Sequence, residues 1–451
     1  MNILAILALC LATGAAIRLL RHLPRLVFAA TLLGSAAMGA LVIFSSAEPF
    51  DLVGRALALD ATTRAFLFPA LGTAAALALF SPLTFQPSSQ PAARIANSLG
   101  TFLFSSLAPL IVAMALDSFP LAAIFWALGL MPLIFLAQPR GTNRVGGAAQ
   151  FLLMTIIAAA CLLLGNRLLE LYPFTPENLD LLRGAALFLT LGFGILLAAV
   201  PFNAWVGSFA DEMPLLGVGF LAGVAQPVGL WLLIQLLTRA PWLGEKSPLL
   251  SGLVALGVIS LIGGAFFALA ERRDQRFVAA LALLSLGDAL IGFGLGTRVA
   301  LMGALIALIN RALGITLLCG GLSFVRYHPE RRWHTIGILA LLGGGFILIG
   351  LAPTLGALAR ATIYRDVGNL GLTVLLFAAQ GAGLLALIRF VLPLIAAMQV
   401  GVEAAAEFKI VPYLASAVIA AVFIFAILGG LAPQVFIDPL MTVVNRIEFL
   451  K

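Results

Sequence analysis

Runs of about twenty apolar residues, parted by short segments that hold most of the charge, recur along the whole of this 451-residue sequence. A run of that length crosses the ~30 Å hydrocarbon core of a bilayer as one helix. Inside hydrocarbon every backbone N–H and C=O must be satisfied within the chain, as a helix does for itself. The expected fold is therefore an all-α polytopic membrane protein built of such helices. Composition agrees: 62% of the residues are hydrophobic and 10% are charged, where a soluble domain carries roughly 25% charged residues. The net charge of +7 does not imply a nucleic-acid partner. Most of the basic residues stand at helix ends or in short loops, where they favour the cytoplasmic side and anionic headgroups of the lipid bilayer.

Fourteen spans are expected, near 2–20, 26–46, 62–81, 98–116, 119–137, 148–170, 184–203, 213–237, 249–270, 277–296, 299–324, 335–352, 370–396 and 412–432. The first lacks the basic start and small-residue cleavage site of a secretory signal and is read as a retained span. Two places look like broken helices. One is "AAVPFNAWVGSFADEMP", with Pro201 and Pro214; the other is "APTLGALARATIYRDV", which follows Gly350, contains Pro353 and is too short to span alone. The plainer alternative is that proline simply ends a helix at each. Broken helices in corresponding positions of two halves suggest a single membrane domain, 1–451, with inverted five-helix repeats near 98–237 and 249–396. Arg18, Arg21, Arg25, Arg94, Arg140, Arg144, Arg272, Arg273, Arg276, Arg326, Arg331, Arg332 and Lys409 crowd the odd-numbered loops. The positive-inside rule then places those loops in the cytoplasm and both termini outside, as expected in a bacterial inner membrane.

Chemistry of the chain's own is not in sight. Cys10, Cys161 and Cys319 lie singly in apolar segments, and His22, His328 and His334 lie near helix ends. No cluster has metal-ligand spacing and no glycine-rich phosphate loop follows a strand. No catalytic site, metal or cofactor is expected in this chain.

Several stretches are collinear with one family. "DSFPLAAIFWALGLMP" (117–132) resembles the helix that reads "FWEL" in antiporter-like subunits. "AVPFNAWVGSFADEMP" (199–214) resembles "VPFHxWLPDAxxxAP", with the same step from Pro201 to Pro214. "QPVGLWLLIQLL", "RRDQRFVAALALLSLGDALIGFGLG", "ALINRALGITLLCGGLSF", "GLAPTLGALARAT" and "GGLAPQVFIDPL" follow in the family's order. The resemblance is to the antiporter-like membrane subunits of respiratory complex I (NADH:quinone oxidoreductase), Mrp antiporters and membrane-bound hydrogenases, and it covers nearly the whole chain. No single motif is specific; their order is.

That resemblance implies a string of ionisable residues along the bilayer midplane, passing protons between neighbours. Carried over position by position, most of the string is missing. The acidic position of the fifth helix is Ala127, the seventh-helix lysine is Leu196, and the eighth-helix lysine is Gln226. The eleventh-helix histidine is Arg311, the lysine four residues on is Ile315, and the twelfth-helix basic position is Arg360. Loss of both members of a pair is physically coherent, because one partner left alone would be an uncompensated buried charge. Asp288 survives on the tenth span, with Arg311 as its expected partner. Two readings stay open: a relay element, or a pair that locks helices. Arginine effectively never gives up its proton, so it sets a potential but cannot relay.

Arg360 reads either as a positive plug or as a snorkelling helix-end residue. Arg389 reads as a lipid-edge or partner contact, Asp211 and Glu212 as a solvated linker or an ion entrance, and Glu403, Glu407 and Lys409 as a solvated face. Ion-path candidates are therefore Asp288, Arg311, Gln226 and Arg360. The resemblance implies other membrane subunits as partners, and redox subunits carrying iron–sulfur or flavin groups. It also implies proton or sodium translocation in a complex I-like assembly, with this chain's own channel weakened or silent. The alternative is a non-conducting scaffold that anchors a partner such as an inorganic-carbon uptake protein.

Overall fold

The computed structural model describes residues 2–44, 50–52, 54–84, 98–137, 146–175, 177–328, 330–397 and 410–445. Glu403, Glu407 and Lys409, and the loop arginines Arg94, Arg140 and Arg144, lie outside the described residues. The helices are α1 (Asn2–Leu19), α2 (Pro24–Phe44), α3 (Ala61–Phe80), α4 (Leu99–Ala115), α5 (Phe119–Ile134) and α6 (Gly146–Leu171). Then come α7 (Leu179–Leu196), the short α8 (Ala204–Glu212), α9 (Leu215–Arg239) and α10 (Pro241–Lys246). The second half holds α11 (Leu249–Ala270), α12 (Asp274–Gly294), α13 (Arg298–Tyr327), α14 (Arg331–Ile349), the short α15 (Leu355–Val367) and α16 (Leu370–Ala397). Last are α17 (Ile410–Leu431) and α18 (Gln434–Val444). A two-stranded hairpin, β1 (Phe50–Leu52) and β2 (Arg55–Leu57), pairs antiparallel and bridges through Leu57 to Leu116 at the end of α4.

Among the described residues, eleven helices are long and apolar enough to cross a membrane, and α1, α4 and α5 are apolar but shorter. This is an all-α polytopic membrane protein. The helices form inner and outer sets. In α12 94% of the most apolar window is buried, and in α9 and α13 89%, against 33% in α6 and α16 and 22% in α17. Polar groups can persist only on the inner set, where protein rather than lipid surrounds them.

Glycine lets the inner helices close up. A methyl group on Gly257 of α11 would stand 2.8 Å from the Gly287 carbonyl of α12, and one on Gly344 of α14 would stand 2.7 Å from the Gly314 carbonyl of α13. Any larger residue would push these backbones apart, as expected where packing rather than water drives helix association.

Both suspected breaks are real, and each is followed by a second helical piece. The first falls inside the expected 184–203 span: α7 stops at Leu196, Ala198 takes a left-handed φ of 56°, a cis peptide precedes Pro201, and α8 begins at Ala204. At the second, Gly350 (φ 70°) ends α14 with its N–H on the Ile347 carbonyl and the Leu351 N–H on that of Phe346, both 3.0 Å. This is a left-handed glycine cap. A cis peptide precedes Pro353, and α15 starts two residues later. In both halves the broken helix is the fourth of five, counting α4–α9 and α11–α16.

Candidate functional site

The buried polar side chains of the inner helices form two adjoining clusters. The first centres on Arg311 of α13, which is fully buried. Its Nε donates to the Ala222 carbonyl at 2.9 Å and its Nη1 to Ser285 Oγ at 2.7 Å. Further bonds run from Nη1 to the Ala282 carbonyl and from Nη2 to Gln226 Oε1. Gln226 in turn donates through Nε2 to the Leu197 carbonyl, at 2.8 Å, just beyond the end of α7. Ala222 lies in a single π-helical stretch, Leu221–Ala225, within α9. Such wide turns recur at functional sites, and this one supplies two acceptors, Ala222 for Arg311 and Ala225 for Trp126 Nε1 at 3.0 Å. Among the described residues Arg311 has no carboxylate partner; four neutral acceptors and the carbonyl dipoles among them hold its charge.

The second cluster centres on Asp288 of α12, which is 3% exposed. Arg360 of α15 donates to it from Nε at 2.7 Å and closes an ion pair from Nη2 at 2.7 Å. The same Nη2 reaches the Leu348 carbonyl at 3.0 Å, near the end of α14. Tyr364, one turn along α15, donates to the other Asp288 oxygen at 2.8 Å, and Gln380 of α16 donates to the Tyr364 hydroxyl. Asn310 of α13 donates to the Ile347 carbonyl at 2.6 Å. Asn310 Oδ1 and Arg360 Nη1 are buried with no hydrogen-bond partner among the described residues.

These contacts correct the expected pairing. Asp288 does not pair with Arg311; it pairs with Arg360. Ser285 and Asp288 stand three residues apart on one face of α12, and the two guanidiniums divide that face between them. Arg360 does not snorkel either, being 4% exposed and engaged with Asp288. Gln226 and Arg311 do come together, so all four ion-path candidates lie on the two clusters. Sequence reasoning missed Tyr364 and Gln380. The signal available for Tyr364 was its i+4 spacing from Arg360, which puts both on one helical face.

Around the missing pair the interior is apolar. Leu196 is 3% exposed, Ala127 is half-buried, and Ile315 is fully buried. The Trp126 ring lies against Gly229, where Leu197 also packs.

Asp211 and Glu212, read as a solvated linker or an ion entrance, are part-exposed and line a cavity of about 860 Å³, and both also act as struts. Asp211, near the end of α8, takes Arg276 at 2.5 Å and Arg273 at 2.7 Å. Glu212 accepts the free N–H groups of Gly147 and Ala148 at the start of α6, at 2.8 and 2.9 Å, where a helix N-terminus favours negative charge. Arg389 is exposed on α16, in keeping with a lipid-edge or partner contact. Among the described residues no group of three His, Cys, Asp or Glu side chains could hold a metal ion.

A family model described as "NADH:quinone oxidoreductase/Mrp antiporter, TM" matches residues 117–341. Among curated proteins, NADH-quinone oxidoreductase subunit N of Desulforudis audaxviator is 27% identical over 246 residues, 49% of this chain and 48% of that protein. The chain spans about half the length of the curated relatives it matches. A chain of respiratory complex I from Thermus thermophilus superposes with a TM-score of 0.76 at 18% identity, covering 100% of both chains. A chain of the Mrp complex from Dietzia sp. DQ12-45-1b gives 0.74 at 13% identity, covering 99% of this chain and 97% of that one. At these identities the superpositions carry the fold alone.

Proposed function

Because the chain belongs to the family of antiporter-like membrane subunits typified by respiratory complex I and Mrp antiporters, we propose that it is a membrane-arm subunit of a complex I-like assembly. Redox chemistry in other subunits, which carry the iron–sulfur or flavin groups, is coupled there to proton or sodium movement. This chain supplies no cofactor and no catalytic site, and its own channel is weakened or silent. Fourteen crossing helices, two inverted repeats (98–237 and 249–396), a bacterial inner-membrane location and both termini outside complete the reading.

One observation carries it: the buried line consists of Gln226, Arg311, Asp288 and Arg360, with no lysine, histidine or second acid among them. Proton passage needs groups whose charge changes. Arg311 and Arg360 keep theirs, and Asp288 is tied by an ion pair and a tyrosine hydroxyl. A second reading, a non-conducting scaffold that anchors a partner such as an inorganic-carbon uptake protein, draws support from the apolar packing of Trp126, Leu196 and Leu197.

Gentle extraction of the native complex, mass spectrometry of its partners and an iron and flavin assay test the choice. Co-purifying redox subunits support the first reading; a partner without redox centres supports the scaffold. Asp288→Asn then separates roles within the first reading. Loss of ion movement in an intact complex would give Asp288 a relay role, whereas loss of assembly alone would make it a lock.

A further inference from the structure

One cavity joins the loop face to the Arg311 cluster. It has a volume of about 330 Å³ and is bounded by α8, the end of α11, one stripe of α12 and Gln226 of α9. The α12 stripe is Arg276, Ala279, Ala280 and Leu283, the i, i+3, i+4, i+7 spacing of a single helical face. From Arg276 to Leu283 that face rises about 10.5 Å into the protein. Glu271, Arg276 and Gln226 give the walls polar groups, so this vestibule can hold water.

Its two ends differ in charge. At the mouth Arg276 donates to Asp211, at 2.5 and 2.8 Å, and to Glu271 at 3.3 Å, while Arg273 bonds Asp211 at 2.7 Å. Two cations thus meet two anions there. At the inner end Gln226 turns its Oε1 to Arg311. Leu283 follows Ala282, whose carbonyl takes another bond from the same guanidinium. Among the described residues no carboxylate bonds Arg311, and its charge is permanent. The next charges along α12, Asp288 and its partner Arg360, cancel one another. The field in the vestibule is therefore positive toward its inner end, and low-dielectric walls carry it further than water would.

We propose that this vestibule is a sign filter: it admits small anions, of the size of chloride or formate, as far as Gln226 and turns cations back. Arg311 acts through its field, at one remove from the ion, with Gln226 between them. An arginine placed in this way is an electrostatic barrier that needs no moving part. The sign of the filter does not depend on whether the chain belongs to a redox-driven complex.

Thiol labelling of the full-length protein in nanodiscs tests this. Leu283→Cys places a thiol at the inner end, and Cys161→Ser removes the native thiol that is not buried. Sulfonatoethyl and trimethylammonioethyl methanethiosulfonate carry opposite charges, and each rate is divided by that reagent's rate with a free thiol in solution. The anionic reagent is expected to be favoured by about tenfold or more. Arg311→Gln in the same background, which removes the charge and keeps an amide, should bring the ratio close to one; Arg311→Lys should keep it. Equal corrected rates with Arg311 in place, or faster labelling by the cation, would overturn the filter, and this measurement decides by itself if Arg311→Gln fails to fold. An anionic preference that survives in folded Arg311→Gln would overturn it too. So would a Leu283→Cys thiol that neither reagent reaches, because the vestibule would then stop short of Arg311.

Discussion

The two broken helices solve one problem in two ways. Each break leaves carbonyls at a helix end inside the membrane, where an unsatisfied group is costly. At the α7–α8 break the donor is neutral: Gln226 bonds the Leu197 carbonyl, and Ser260 Oγ accepts the Val200 N–H at 2.9 Å. At the α14–α15 break the donor is a cation, since Arg360 bonds the Leu348 carbonyl while Asn310 bonds that of Ile347. That cation is paired with a counter-charge, Asp288, unlike Arg311, which neutral acceptors hold. The first break therefore closes without any titratable group, and the second carries an ion pair, a tyrosine and a glutamine with it. At the second break the surviving cation caps a helix end, and that is a structural duty before it is a conducting one.

The comparison can be broken most easily at Arg360. Arg360→Leu leaves Asp288 buried and unpaired, and should cost about 3–5 kcal/mol of stability in micelles titrated with SDS. Asp288→Leu with Arg360→Leu should recover most of that loss. Equal losses in the single and double variants would mean that the two residues are not coupled.

At the neutral break, Gln226→Leu removes an acceptor from Arg311 and the donor to Leu197. The expected cost is about 2 kcal/mol. A loss as large as that of Arg360→Leu would erase the distinction between the two breaks.

Tyr364→Phe removes one hydroxyl bond to a buried carboxylate and leaves Gln380 without its acceptor. About 1.5 kcal/mol is expected, and an unchanged unfolding midpoint would show that the Asp288–Arg360 pair stands alone.

The smallest effect lies outside the spans, at His328 after α13. Burial holds this imidazole below its ordinary value, against opposing contributions from Glu330 and a backbone bond to Leu83. Because the folded value is depressed, the stabilising neutral form is fully present above about pH 6.5 and is lost as pH falls below that. His328→Phe should flatten the acid side of the melting-temperature profile. An unchanged slope between about pH 5 and 6.5 would remove His328 from the account.

Of the site, residues were legible and partnerships were not. Asp288, Arg311, Gln226 and Arg360 stand out in the sequence because a charge or amide within an apolar run needs a reason. That Asp288 would choose Arg360 over Arg311 depends on the rotation of α12 and on the packing of a thirteen-residue half-helix. Neither quantity is local. The partners of Asp211 and Glu212 were illegible for a related reason. Both acids resemble solvated linker charges in sequence, yet their partners, Arg273, Arg276 and the start of α6, are about sixty residues away or more.

The sequence by itself determined the membrane-spanning helical class, the order of the spans and the two breaks. Apolar run length, Pro201, Gly350 and Pro353 act locally, through the bilayer's thickness and the backbone's own hydrogen bonds. Only the tertiary structure decided which charges meet, that Arg311 lives among carbonyls without an acid, and that Trp126 fills the space Gly229 leaves. Those outcomes depend on how inner helices turn and approach, and in a membrane close packing of distant segments settles that.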